Sequence, residues 1–214
     1  AMREVILLID VQNDFLPWGS LPVPRGDEVI AIANRLLARL DDRPVVATQD
    51  WHPPDHQSFA SQHPGRRPYD VVDLGGIPQV LWPDHCVAFT HGARLAAALD
   101  ARRVERIFLK GIDPAVDSYS GFFDNARRRA TGLGGWLRER AFDGVVLLGL
   151  ATDYCVKATA LDALELGLAV TLVQDGCRSV DVAPGDGAAA FAAVAAAGGR
   201  LVRSEELVAR TTPR

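Results

Sequence analysis

The chain has 214 residues, of which 48% are hydrophobic and 23% are charged, and its net charge at pH 7 is −4. No Ser/Gly/Pro-rich linker divides it, so the sequence predicts one domain over residues 1–214 with an ample apolar core. Three cysteines without a CxxC pair argue against a disulfide framework, the acidic balance argues against a nucleic-acid partner, and no apolar run is long enough to span a membrane. No secretory leader opens the chain, so we expect a cytoplasmic protein, with Ala1 before Met2 as a cloning remnant.

Short apolar runs predict the strands, and residues spaced three or four apart predict the helices. In chain order, the predicted strands are 5–9, 45–48, 107–109, 144–150, 170–173 and 201–202. The predicted helices are 28–40, 94–99, 133–141, a segment that begins near 156 and ends at Gly167, and 186–197. The polar region 57–81, rich in Pro and Gly, is expected to be a long functional loop.

Strands that alternate with helices and are apolar throughout are typical of a parallel sheet covered on both faces. The sequence therefore predicts the α/β class, as a single-domain three-layer αβα fold with a six-stranded, mostly parallel sheet. In such sheets the ligand site lies beyond the carboxyl ends of the strands. Asp10, Asp50, Lys110 and the turn 151–155 each follow a different strand, so we expect them to converge. The first strand is not followed by GxGxxG, which argues against a dinucleotide site.

Cys155 follows the fourth predicted strand, in the first turn of a helix for which Thr152 and Asp153 are candidate N-caps. Free N–H groups and the helix dipole at that position favour negative charge. A thiol there should ionise more easily than a free one and could act as a nucleophile. The alternative is a buried cysteine that behaves as a small hydrophobic residue, which is the commoner fate of a lone cysteine.

Asp10 and Lys110 could complete a catalytic set with Cys155. A cysteine nucleophile needs a base that takes its proton and later returns it to a leaving group. An aspartate can do so if a cation controls its protonation, and a lysine directly after an apolar strand usually needs such a partner. Each residue also has a purely structural interpretation.

Asp50, His52 and His85 form a candidate metal site. In an extended segment Asp50 and His52 point to the same side, and two histidines with one carboxylate suit zinc, iron or manganese. His56 is a possible additional ligand, although its place after two prolines favours a supporting role, and His63 and His91 have no evident partners.

Three aromatic residues, Phe15, Trp82 and Tyr119, lie in loops near the same predicted edge of the sheet. Aromatic residues usually lie in the hydrophobic core. Beside a small polar site, these three could also enclose a flat ring.

The residues discussed so far lie in five short motifs: IDVQNDF at 9–15, TQDWHP at 48–53, LWPDHCV at 81–87, KG at 110–111 and GLATDYCV at 149–156. With these motifs the chain resembles, over nearly its whole length, the nicotinamidases of the isochorismatase-like cysteine hydrolases.

The resemblance implies roles for these positions. It implies Asp10, Lys110 and Cys155 as the catalytic triad. It implies Asp50, His52 and His85 as ligands of one divalent metal ion, with Zn²⁺ expected and Fe²⁺ or Mn²⁺ as alternatives. The resemblance also implies Phe15 and Trp82 as walls of a pyridine pocket with Tyr119 nearby, and a cis peptide before Ala151 that aims the Ala151 and Cys155 N–H groups at an oxyanion.

The implied activity is hydrolysis of nicotinamide to nicotinate and ammonia through a Cys155 thioester, as in NAD salvage, with pyrazinamide also accepted. The expected partner is a small-molecule substrate, and the sequence leaves open whether the protein is a homo-oligomer. Three alternatives remain: a related amidohydrolase for another small amide or carbamoyl group, a catalytically silent binding protein, and a metallohydrolase in which Cys155 is inert.

Overall fold

The computed structural model describes residues 2–211. Its strands are β1 (Glu4–Ile9), β2 (Val45–Asp50), β3 (Val71–Leu74), β4 (Ile77–Val80), β5 (Val104–Lys110), β6 (Gly144–Leu150), β7 (Ala169–Arg178) and β8 (Arg200–Val202). Its helices are α1 (Glu28–Arg39), α2 (Leu133–Glu139), α3 (Lys157–Glu165), α4 (Asp186–Ala196) and α5 (Ser204–Thr211). No helix in this part of the chain is long and apolar enough to cross a membrane.

The main sheet has six strands in the order β5-β2-β1-β6-β7-β8, and every neighbouring pair is parallel. This confirms the predicted sheet. From β1 the chain adds strands on one side through β2 and β5, and later on the other side through β6, β7 and β8. The order therefore reverses between β1 and β6, where a crevice opens beyond the strand ends. Ile9 pairs with Gly149 at this point.

Helices cover both faces because the strands are apolar on both sides. All residues of β2 and β6 are buried. One layer contains α1 and α5, which contact each other and β7, and the other contains α3 and α4. The predicted helix at 28–40 is present as α1, and Val29 and Leu36 on its inner face are fully buried. Gly167 has a φ of 82° just after α3, which confirms it as the end of that helix.

The predicted helix at 94–99 is wrong, because this segment forms turns and one isolated bridge from Leu95 to Gln12. Its backbone is paired across the molecule: Ala96 N–H donates to the Val11 carbonyl over 2.9 Å, and the Arg94 carbonyl accepts from Asn13 N–H over 3.0 Å. Tertiary hydrogen bonds to the chain after β1 outweigh the local helical spacing.

Three elements were not predicted: the strands β3 and β4, which form a hairpin, and the helix α5. The excursion 57–81 contains the antiparallel hairpin β3–β4, which turns through Gly75 and Gly76 at φ 63° and 89°. A Gly-Gly pair between two short runs is a hairpin signal, but the exposed residues of β3 and Pro78 in β4 obscured it. The C-terminal helix α5 was also missed.

We predict that Gly149→Ala strongly destabilises the fold. Gly149 has a φ of 136°, and a Cβ there would lie 2.1 Å from the Ile9 carbonyl oxygen. Relief of that clash must separate β1 from β6, at a cost of about 2 kcal/mol or more. Urea unfolding would measure the loss.

Gly135→Ala is the matched control, because Gly135 lies in α2 and its Cβ would meet no atom within 4 Å. We expect this variant to gain about 0.5–1 kcal/mol from helix propensity. Equal stabilities of the two variants would contradict the assigned role of Gly149.

Candidate active site

Four strand ends bring four chemically active side chains into one buried cluster. Asp10 follows β1, Asp50 ends β2, Lys110 ends β5 and Cys155 follows β6. Their residues are 0%, 4%, 1% and 7% exposed. A carboxylate oxygen of Asp10, one of Asp50 and the Cys155 sulfur all lie within 4.8 Å of one another. The convergence expected from the sequence is therefore present in the structure.

The Lys110 ammonium lies at the centre of this cluster. Its Nζ is 2.8 Å from Asp10 Oδ2 and 2.5 Å from Asp50 Oδ1, and it donates to the Ser118 carbonyl over 2.9 Å. The same Nζ is 3.3 Å from Cys155 Sγ. The three hydrogen bonds of the ammonium thus go to Asp50, the Ser118 carbonyl and the Cys155 sulfur, whereas Asp10 is held by an ion pair.

The protonation of the cluster follows from burial and from these ion pairs. Burial alone would lower the pKa of Lys110, but Asp10 and Asp50 outweigh it and raise that pKa well above its ordinary value. Burial would raise the pKa of Asp50, yet Lys110 and His52 hold it well below its usual range. For Asp10, burial prevails over Lys110 and the Thr48 hydrogen bond, so the pKa is raised. Asp50 is thus a fixed anion, whereas Asp10 is the better proton acceptor.

Cys155 lies in a π-helical turn, Thr152–Val156, that leads into α3. Thr152 and Asp153 are not its N-caps, since Ala151 holds that position without a side-chain cap. The Asp153 carboxylate instead accepts hydrogen bonds from the N–H groups of Val180 and Asp181. The Leu150–Ala151 peptide is cis, in agreement with the resemblance.

The expectation of an easily ionised thiol at Cys155 is wrong. Burial raises its pKa well above the ordinary value, and although Lys110 opposes this, Asp10 and Asp50 add to it. Two nearby carboxylates and an apolar environment outweigh a helix N-terminus. The thiol is therefore neutral in this structure.

Next to the cluster, His52 and His85 point their Nε2 atoms at the other Asp50 oxygen, Oδ2, over 3.5 and 3.7 Å. Their Nδ1 atoms lie 2.8 Å from the Gly111 carbonyl and 2.7 Å from the Pro83 carbonyl. Because a carbonyl only accepts, each Nδ1 carries a proton, so in the neutral ring Nε2 presents a lone pair. Burial would lower the pKa of His52, but Asp50 outweighs burial and raises it.

This arrangement fits a divalent metal ion. Ligand atoms of Asp50, His52 and His85 all lie within 4.8 Å of one another, and His52 Nε2 is buried without a hydrogen bond to any residue of the described chain. Two imidazoles and one carboxylate suit zinc or a similar ion with an open position. Gly111 makes room for the His52 ring, since its φ is 65° and a Cβ would lie 2.3 Å from that ring.

His56 lies beside His52, with ring centroids 4.2 Å apart, but it is held differently. Burial lowers its pKa to about 4, so the ring is neutral. Its Nδ1 lies 2.7 Å from Ser58 Oγ and 3.2 Å from Ser58 N, and its Nε2 is buried without a hydrogen bond to a described residue. Ligand atoms of His52, His56 and Asp117 lie within 4.8 Å of one another. The supporting role of His56 therefore stays a prediction.

A cavity opens above Cys155 and the His85 side of the metal-ligand cluster. Its lining comprises Phe15, Leu21, Val23, Asp50, Trp82, His85, Asp117, Tyr119, Ala151, Tyr154, Cys155 and Val180. The three aromatic residues expected from the sequence are all among them. Tyr154 stands edge-on to the rings of Trp82 and Tyr119 at centroid distances of 4.8 and 5.3 Å. The cavity thus has flat walls suited to a planar ring.

Sequence reasoning missed five lining residues: Leu21, Val23, Asp117, Tyr154 and Val180. Tyr154 could have been inferred as a lining residue, because it is next to Cys155 in the sequence. The other four lie in loops whose path through the structure no local sequence pattern indicates. His63 and His91 lie outside the lining, as their lack of partners suggested, and His63 Nε2 is 2.7 Å from the Gln57 carbonyl.

Comparison with known proteins agrees with this geometry. The isochorismatase domain model matches residues 4–206. A nicotinamidase of Escherichia coli (strain K12) is 51% identical over 200 residues, which are 92% of this chain and 93% of the relative. A solved nicotinamidase/pyrazinamidase of Acinetobacter baumanii superposes with a TM-score of 0.92 at 38% identity, covering 97% of this chain and 99% of that one.

The chain belongs to the isochorismatase-domain family. Within that family it groups with the nicotinamidases. A further structure of this group, a pyrazinamidase of Pyrococcus horikoshii in complex with zinc, superposes with a TM-score of 0.76 at 34% identity and covers 94% of this chain and 99% of that one.

We predict that Lys110→Met destabilises the protein in a pH-dependent way. Without the ammonium, Asp10 and Asp50 are buried unpaired, and their folded-state pKa values rise above those of the unfolded chain. Such groups cost stability increasingly as pH rises from the unfolded pKa through the folded one. The deficit relative to wild type should therefore begin above about pH 4, the unfolded-state pKa of an aspartate, and be larger at pH 8 than at pH 5, with about 3–5 kcal/mol or more at pH 8.

Urea unfolding of chelator-treated protein at both pH values measures that deficit. Lys157→Met is the control, because the other lysine of the chain forms no ion pair with a described residue. A pH-independent deficit in Lys110→Met would count against the buried ion cluster.

We also predict that His52 and His56 differ in metal binding. His52→Gln removes a lone pair aimed at the metal-ligand cluster and should weaken Zn²⁺ binding at least about 100-fold, whereas His56→Gln should change it less than about 10-fold. Competition with a chromophoric chelator measures both affinities. Equal losses in the two variants would make His56 a ligand.

Proposed function

We propose that the protein hydrolyses nicotinamide to nicotinate and ammonia, with Cys155 as nucleophile. One observation carries this proposal: Cys155 lines a cavity with aromatic walls and, beneath it, contacts the buried Lys110 ammonium next to the Asp10 carboxylate. The similarity to the nicotinamidase of E. coli supports the same substrate.

The first step is attack on the carboxamide carbon. Asp10 takes the proton from Cys155 as the sulfur forms its bond, and the carbonyl electron pair moves onto oxygen. The N–H groups of Ala151 and Cys155 would hold that oxyanion, and loss of one such donor typically costs ~10²–10³ in rate. Collapse of the tetrahedral species breaks the C–N bond, and protonated Asp10 gives its proton to the leaving ammonia.

The second step hydrolyses the thioester. Asp10, ionised again, takes a proton from a water that attacks the same carbon, and the sulfur leaves and recovers a proton from Asp10. Lys110 stays within contact of Asp10 and Cys155 throughout, so it offsets the charge that moves between them.

Asp50, His52 and His85 would hold one divalent metal ion. The donor set and the zinc in the pyrazinamidase of P. horikoshii support Zn²⁺. When bound, the ion would supply a Lewis-acidic position for a pyridine nitrogen and thereby orient the ring.

The aromatic residues position the substrate and exclude water. Phe15 and Trp82 would flank the ring, with Tyr119 near its edge. Their apolar lining suits a flat azine better than a strongly polar carbamoyl group, which supports nicotinamide over the alternative amides. Pyrazinamide has the same shape and a ring nitrogen, so it should also be accepted, and the reaction would serve NAD salvage.

We predict that wild-type protein loaded with Zn²⁺ releases ammonia from nicotinamide and that Cys155→Ala loses at least about 10³-fold of the rate, because the nucleophile is gone. A coupled ammonia assay measures both. Cys177→Ala is the control: Cys177 is a buried thiol in β7 whose Sγ donates to the Val173 carbonyl, and it does not line the cavity.

No ammonia from wild type would refute the proposed substrate. Retained activity in Cys155→Ala would instead favour a metallohydrolase in which the thiol is inert. Acid quenching during turnover, followed by intact mass measurement, should detect the nicotinoyl thioester on wild type and not on Cys155→Ala.

A further inference from the structure

Asp117 is a buried carboxylate in the cavity wall to which the reaction above gives no role. It lies in the loop between β5 and α2, is 3% exposed and lines the cavity together with Tyr119. One of its oxygens accepts Ser118 N–H over 2.7 Å, and the other accepts Gln79 Nε2 over 3.1 Å. Both oxygens accept hydrogen bonds, as those of an ionised carboxylate do.

The hairpin strand β4 holds Asp117 in place. Gln79 of that strand is 2% exposed, and its amide also donates to the Tyr119 hydroxyl over 3.3 Å. One buried amide thus fixes a charged residue and an aromatic residue of the same wall. Asp117 lies beside His52 and His56, since one of its carboxylate oxygens and one ring nitrogen of each histidine lie within 4.8 Å of one another. No lysine or arginine between residues 2 and 211 forms an ion pair with it.

The net charge of the site indicates how the Asp117 carboxylate could affect ligand binding. Asp50 and Asp117 line the cavity, and Asp10 joins the cluster through Lys110. Three carboxylates and one ammonium sum to −2, which one divalent ion held by the metal ligands would bring to zero. A neutral amide leaves that balance unchanged, whereas a carboxylate ligand adds an uncompensated charge in a buried site.

We propose that Asp117 is a specificity-determining residue that makes the cavity prefer a neutral heteroaromatic carboxamide over the corresponding carboxylate. This inference rests on the proposed function and extends it, because the carboxylate is the product of that reaction. Asp117 thereby lowers the affinity for the carboxylate product and limits product inhibition.

The test measures binding without turnover. In a Cys155→Ala background loaded with Zn²⁺, calorimetry gives the dissociation constants of nicotinamide and nicotinate, and their ratio is compared before and after Asp117→Asn. Removal of one negative charge within the site should tighten nicotinate about 10-fold or more relative to nicotinamide, since like charges several Å apart repel strongly at low dielectric. Asp117→Glu should keep the wild-type ratio.

Asp124→Asn is the matched control. Asp124 is another buried carboxylate of the same loop, its oxygens accept Arg128 and Arg129 N–H groups, and it is absent from the cavity lining. A purely structural effect of Asp117 would weaken both ligands together and leave the ratio unchanged. Only a charge effect moves the ratio.

The outcomes separate the two proposals. If nicotinamide binds to the Cys155→Ala protein but Asp117→Asn leaves the ratio unchanged, the specificity role is wrong while the proposed function stands. If wild type releases no ammonia and nicotinamide does not bind, the proposed function fails and the inference fails with it. Should Asp117→Asn not fold, the ratio in Asp117→Ser decides in the same way.

Discussion

A single ammonium group buried between two carboxylates organises the site. Lys110 Nζ contacts Asp10, Asp50 and the Cys155 sulfur from the end of an edge strand of the sheet. Desolvating these ions costs several kcal/mol each, and only close contacts and satisfied hydrogen bonds can offset it. The parallel sheet meets this demand because it delivers the three charged groups from β1, β2 and β5, which are adjacent, and the thiol from β6 beside β1.

Asp50 connects the proton-transfer groups to the metal-ligand cluster. One of its oxygens contacts Lys110 and the other faces the Nε2 atoms of His52 and His85. A change at Asp50 therefore alters both the charge around Asp10 and the metal-ligand set. The free-energy effects of substitutions in the two clusters should therefore not be additive, since the clusters share this carboxylate. The two clusters form one coupled site.

The sequence was sufficient for features that depend on local pattern and on the topology of parallel sheets. Apolar runs identified the six strands, and the rule that ligands bind beyond their carboxyl ends brought Asp10, Asp50, Lys110 and Cys155 together. Sequence patterns failed where contacts between residues far apart in the chain determine the local structure. The segment 94–99 has helical spacing, yet its backbone pairs with the chain after β1. Asp117 is held in the cavity wall by the side-chain amide of Gln79, a hairpin residue 38 positions earlier in the chain.

The protonation state of Cys155 also depends on residues far away in the sequence. It bears on when the thiol would lose its proton during the proposed reaction. A cysteine at a helix N-terminus usually has a lowered pKa, and from position alone this thiol should ionise more easily than a free one. Burial and two carboxylates reverse that effect. A resting thiol is a weak nucleophile, but it is also less prone to oxidation than a thiolate. In the proposed reaction, Asp10, whose pKa is raised, would take the proton when the substrate carbon becomes available, so that the thiolate would form only as it is consumed.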